Sequence, residues 1–176
     1  MEARDLIAGI VMVITATGCA STASDPGRGD DPDPIEVTAV DYGYEGIGDT
    51  VPVGTELSLS NESDAEVHEI VLVELPEGED RAVEDLAQLP EDEVLDLVAE
   101  HSTAVSIAPP GEDGELVRGD LKLDEPGRYA LLCLIPTGAD PDEFMEALPE
   151  SDGPPDVDGG ARHTVNGMWA ELMVEG

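Results

Sequence analysis

Apolar and polar positions alternate along most of the chain from residue 35 onward. "IEVTAVDYGYEG" (35–46) and "ELSLSNES" (56–63) each set every second residue on an apolar face, with "VPVGT" as a turn-rich approach to the second. "EVHEIVLVEL" (66–75), "GELVRGDLKL" (114–123), "GRYALLCLIP" (127–136) and "GMWAELMVEG" (167–176) follow. Period-2 alternation is the signature of strands with one buried face. Turns such as "PPGEDG" and "DEPG" separate the later segments. Short strands without a β-α-β rhythm predict an all-β protein, an antiparallel Greek-key sandwich.

Two stretches break the pattern. Residues 77–101 hold two short amphipathic helix candidates. The second opens with Pro90 followed by Glu91, Asp92 and Glu93, a proline and an acidic first turn that suit a helix N-terminus. Its Val94, Leu97 and Val98 form an apolar stripe at helical spacing, expected to pack on the sandwich. Residues 137–162 read as a carboxylate-rich loop balanced only by Arg162, with one helical turn at "DEFMEAL".

The N-terminus predicts export. "LIAGIVMVITATGCA" (6–20) is an apolar run of signal-peptide length, shorter than a comfortable membrane span. It ends in Ala16-Thr17-Gly18-Cys19, which resembles the lipobox of exported lipoproteins. That resemblance implies a lipidated Cys19, and a chain tethered to the outer face of the cell membrane; an uncleaved N-terminal anchor is the plainer alternative. Residues 1–19 then form a signal segment, 20–34 a small, polar, proline-punctuated linker, and 35–176 the folded domain, with insertions at about 77–101 and 137–162.

Charge narrows the partners. The 176 residues carry 42 acidic against 7 basic groups, a net charge of −35. Such a surface repels nucleic acid and anionic lipid headgroups. With Lys122 as the single lysine, it suits a solvated shell in high salt. The apolar content, 40%, is too high and too periodic for disorder.

The chemistry rests on few residues. There are three histidines, His68, His101 and His163, and two cysteines, Cys19 and Cys133. With Cys19 lipidated, Cys133 is an unpaired thiol in a compartment where cysteines pair; a Cys19–Cys133 disulfide is the competing arrangement. Alternation sets His68 with Ile70 and Leu72, Cys133 with Leu131 and Ile135, and Met168 with Ala170, Leu172 and Val174. His163 lies on the turn "RHTVNGM" entering the last strand. One early-strand histidine, one cysteine and a His-x4-Met turn are thus placed to converge at one end of a sandwich. Two imidazoles, a thiolate and a weak thioether are the donor set of a type 1 copper site. Taken singly, Cys133 reads as a small buried hydrophobe, His68 as a hydrogen-bonded core residue and Met168 as packing. His101, ending a predicted helix, is placed to meet the helix dipole. Asn61-Glu62-Ser63 matches a glycosylation sequon, a short and common pattern.

"NESDAEVHEIVLVEL", "PGRYALLCLIP" and "HTVNGMWAELMV" together resemble the cupredoxins, the plastocyanin and azurin type of blue copper protein, in their membrane-tethered bacterial or archaeal form. The likeness covers roughly residues 35–176 without the two acidic insertions. It implies one copper held by His68, Cys133, His163 and Met168, and a monomer carrying single electrons to an unknown redox protein partner. The chain departs from the family pattern in one respect: residues 134–162 intervene between the cysteine and the second histidine, where familiar members have only a few. Three histidines are too few for multicopper oxidases or copper nitrite reductases, and one domain cysteine is too few for a binuclear purple copper centre. A saturated metal leaves no open position for substrate, so no enzyme activity is expected. The same residues would also suit a copper(I) carrier, and a metal-free binding or structural module is the remaining alternative.

Overall fold

The computed structural model describes residues 32–151 and 153–176, in which ten strands form two sheets sharing one apolar core. In chain order these are β1 (Ile35–Val40), β2 (Gly43–Glu45), β3 (Thr50–Pro52), β4 (Thr55–Asn61), β5 (His68–Glu74), β6 (Ser102–Ala108), β7 (Glu115–Gly119), β8 (Lys122–Leu123), β9 (Gly127–Leu132) and β10 (Trp169–Glu175). One sheet runs β2-β1-β4-β8 and the other β3-β10-β9-β5-β6-β7. The expected sandwich is present. Two parallel pairings, β1 with β4 and β3 with β10, lie within otherwise antiparallel sheets. Parallel neighbours need a long connection, and the chain supplies one each time by crossing to the opposite sheet before returning.

Helices α1 (Val83–Ala87) and α2 (Glu91–His101) occupy the first insertion, as expected, and α3 (Pro141–Ala147) the second. The first insertion explains why "EIVLVEL" is almost continuously apolar. His68, Ile70 and Leu72 point into the sandwich, while Val71 and Val73 point outward against Val83, Leu86 and Val94. β5 is therefore buried on both faces, like a strand of a helix-covered sheet. Of the predicted stripe, Val94 is fully buried, while Leu97 and Val98 pack at its margin.

Three local readings change. Residues 102–108, given no strand from the sequence, form β6 beside β5. α2 runs straight into it, with Ser102 as the helix C-cap and no glycine or proline to mark the boundary. "VPVGT" contributes the short strand β3, paired with β10. "GELVRGDLKL" divides into β7 and β8, which belong to different sheets. The switch is made at Gly119, whose φ is 69° and where a Cβ would meet Thr103 O at 1.9 Å; only glycine fits there.

The second insertion is more than a solvated loop. Asp140 caps α3 by accepting the Glu143 N–H at 3.0 Å, Pro141 sits in the first turn, and the helix spans seven residues rather than one turn. Its Phe144, the chain's only phenylalanine, is buried in the main core, with Met145, Leu148 and Val157 packed at the edge. Among the described residues no helix is long and apolar enough to cross a membrane. The predicted leader with Cys19, and all but the end of the 20–34 linker, lie outside the described residues.

Phe144 is thus the apolar anchor of the insertion. Replacing it with alanine is expected to lower stability by about 3 kcal/mol, measured by urea unfolding in high salt. A loss within about 0.5 kcal/mol, the range of surface substitutions, would mean that the insertion does not pack on the core.

Candidate metal centre

His68 begins β5, and the loop before it is fixed by one amide. Asn61 is buried, and its Nδ2 donates to Glu66 O and Ala108 O at 2.9 Å and to Pro109 O at 3.1 Å; its Oδ1 accepts the Ser63 N–H. Ser63 Oγ in turn donates to Asp41 and accepts from the amides of Ala65 and Glu66. The sequon reading of Asn61 is corrected here: the amide nitrogen that would carry a glycan is fully engaged inside the fold.

Cys133 follows the end of β9 rather than lying within it. Alternation nevertheless continues, with Leu131, Cys133 and Ile135 on the main-core side and Leu132 and Leu134 under the helices. The long insertion does not separate Cys133 from His163, because its two ends are zipped together. His163 N–H donates to Ile135 O, Thr164 N–H to Cys133 O and Thr137 N–H to Ala161 O, each at 3.0 Å. A short 3-10 turn (His163–Asn166) then closes on Gly167, whose φ of 107° aims the chain into β10. Met168 N–H donates to His163 O at 3.0 Å, and Cys133 N–H to Met168 O at 3.3 Å.

The result is a compact donor cluster. His68, Cys133 and His163 are each 0% exposed, and one donor atom from each lies within 4.8 Å of the others. Cys133 Sγ is 3.2 Å from His163 Nδ1, and the two imidazoles are 5.0 Å apart between centroids. Met168 is fully buried beside them in sequence and backbone bonding. His101 stays away, at the end of α2 beside Glu100.

These residues fit a metal ion. Among the described residues, neither ring nitrogen of His68 has a hydrogen-bond partner, nor has Nε2 of His163. Burying polar groups unpaired is costly, and an ion at the centre of the cluster would supply a partner to His68. Two metal–donor bonds of roughly 2.0–2.3 Å span at most about 4.6 Å, close to the size of the cluster. The electrostatics suit soft ligands held neutral. Burial, and then the neighbouring His163, push the His68 pKa down to about 4. Burial lowers that of His163 as well, against an opposing pull from Glu66. Burial, and then the Glu69 carboxylate, push the Cys133 thiol well above its usual range.

Three neighbours escaped the sequence reading. Tyr42, at φ 62°, lays its ring edge-on to His163 with centroids 5.2 Å apart. Glu66 reaches within 3.4 Å of His163 Nε2, off the line of a hydrogen bond. Glu69 points to the helix-covered side of β5, where its Oε1 accepts the Leu134 N–H at 2.8 Å; Tyr44 OH donates to its backbone carbonyl. A carboxylate inside the apolar run "VHEIVLV" was the signal available for Glu69. Nothing in the sequence marked Glu66 among so many acidic residues.

No family model and no curated sequence matches the chain. Among solved structures, dithionite-reduced auracyanin from Roseiflexus castenholzii is similar at a TM-score of 0.46 and 22% identity, over 83% of this chain and 99% of that one. Auracyanin B is similar at 0.44 and 18%, over 85% and 93%. Auracyanin A from Chloroflexus aurantiacus, described as a "blue" copper protein, is similar at 0.43 and 17%, over 82% and 100%.

Glu69 gives a pH test of the site's interior. Burial raises its pKa from 4.5 to about 7, against the smaller opposing effect of the Leu134 N–H. Between those values the folded chain keeps a proton that the unfolded chain releases, so this residue's contribution to stability falls as pH rises through the window. Glu69→Gln removes that dependence. In urea unfolding of the metal-free protein, the variant should gain about 3 kcal/mol on the parent between pH 4.5 and 7.5. A difference independent of pH would contradict the buried carboxyl.

Proposed function

We propose that this protein is a cupredoxin-type electron carrier holding one type 1 copper ion. The observation that carries the proposal is the convergence of three fully buried soft donors, His68, Cys133 and His163, with both His68 ring nitrogens unpartnered among the described residues. His68 and His163 would hold the ion through imidazole nitrogens, Cys133 through its thiolate and Met168 through its thioether sulfur. When bound, copper supplies one-electron chemistry by cycling between its two oxidation states. The chain's part is to hold the donors still and dry. His68 is fixed by the start of β5 and the Asn61 clamp, and Cys133 and His163 by the paired backbone around them. A frame that does not move between redox states keeps reorganisation small. The carrier acts outside the cytoplasm, tethered by lipid on Cys19, and exchanges electrons with a redox protein partner; the acidic leader-to-domain linker and shell suit a high-salt exterior. It is not an enzyme in this proposal, since the four ligands leave no position for substrate.

The copper(I) carrier uses the same donors. Handing over an ion calls for a donor that a partner can reach, and all three are covered, which favours electron transfer. Copper(II) titration of residues 25–176 in high salt tests the choice. An intense thiolate-to-copper charge-transfer band at one copper per chain, lost in Cys133→Ser, with reversible voltammetry, is the expected result. A colourless protein that binds only copper(I) would favour the carrier, and no stoichiometric binding would sink both.

Proton release provides a second check. Cys133 is a thiol before loading while His68 stays neutral down to about pH 4. Binding at pH 7 should therefore release about one proton per copper, read by calorimetry in buffers of different ionisation enthalpy. Release near zero would exclude thiolate ligation.

A further inference from the structure

Glu66 touches three parts of the molecule that are far apart in sequence. Its backbone is held first: its N–H donates to Ser63 Oγ at 3.1 Å and its carbonyl accepts Asn61 Nδ2 at 2.9 Å. From that fixed base the carboxylate accepts the Gly138 N–H at 3.1–3.2 Å, at the start of the second insertion. It accepts the Tyr42 hydroxyl at 3.4 Å, and its Oε2 lies 3.4 Å from His163 Nε2. The side chain is only 15% exposed and His163 not at all. An exposed carboxylate would gain little from such contacts; this one sits between a buried imidazole and the start of the second insertion.

We propose that Glu66 is the positioning residue for His163 and ties the start of the second insertion to it. The inference rests on the copper reading of the site. A histidine that presents Nδ1 to the metal must keep its proton on Nε2, and the group facing Nε2 selects that form. His163 directs Nδ1 toward Cys133 Sγ and Nε2 toward Glu66. The carboxylate therefore stabilises the tautomer that leaves the Nδ1 lone pair free for copper. Its bond to Gly138 N–H ties the start of the insertion to the same side chain, next to the Thr137–Ala161 backbone pairing that brings the insertion's ends together. Tyr42 completes the arrangement, packed against His163 and tied to Glu66. A fixed negative charge behind a ligand imidazole also favours the more positive oxidation state of the metal.

Glu66→Gln and Glu66→Ala in the full chain separate these roles. In the metal-free reduced protein, nitrogen–proton correlation spectra should show His163 protonated at Nε2 in the parent and in Glu66→Gln, whose amide oxygen still accepts. The Gly138 amide should stay protected from exchange in both. Glu66→Ala should lose the tautomer bias and the protection, and bind copper about tenfold to a hundredfold more weakly. Glu66→Gln should raise the copper reduction potential, because charge is removed and shape retained. Parent-like tautomer, Gly138 exchange and copper affinity in Glu66→Ala would overturn the proposal, as would an unchanged potential in Glu66→Gln if the alanine variant fails to fold. If the parent takes up no copper, the copper reading fails, while tautomer and exchange still decide whether Glu66 holds His163.

Discussion

Three backbone hydrogen bonds hold the centre of this molecule together: His163 N–H to Ile135 O, Thr164 N–H to Cys133 O and Cys133 N–H to Met168 O. They join the chain leaving β9 to the chain entering β10, so two donors distant in sequence become neighbours 3.2 Å apart. The closure entropy of a loop grows only slowly with its length, roughly 0.6 kcal/mol for each doubling. Once its ends are paired, the segment between them is free to grow without moving the site. It has grown here into α3, with Phe144 packed on the core.

The same pairing shapes the electrostatics. A chain of net charge −35 keeps its centre nearly free of charge: burial holds the thiol protonated and both imidazoles neutral before any metal arrives. Two acidic residues lie beside the centre. Glu69 lies under the helices and accepts the amide next to Cys133, while Glu66 lies beside His163. Each is bound to backbone of the Cys133–Gly138 segment, one through Leu134 N–H and the other through Gly138 N–H. The acidic shell and the neutral interior thus meet at two residues that also fix the ligand segment in place.

Much of this was legible in the sequence. Alternation identified most strands and set His68 with Ile70 and Leu72, and Cys133 with Leu131 and Ile135, on the faces they occupy. It worked because those strands carry one consistent inner face. β6 was hidden because α2 passes into it without a breaker and its serines and threonine resemble a loop. The pairing that closes the long insertion was hidden because it is made by backbone groups, which carry no side-chain signature. Glu66 was invisible for a different reason: in a chain with 42 acidic residues, one carboxylate is distinguished only by what it touches.

The most direct test of the proposed centre is X-ray absorption at the copper edge of the copper-loaded full chain. One short sulfur and two imidazole nitrogens around each copper, with the short sulfur lost in Cys133→Ser, is the predicted coordination. A shell of oxygen and nitrogen alone, unchanged in Cys133→Ser, would place the ion on the acidic surface and contradict a copper held by His68, Cys133 and His163.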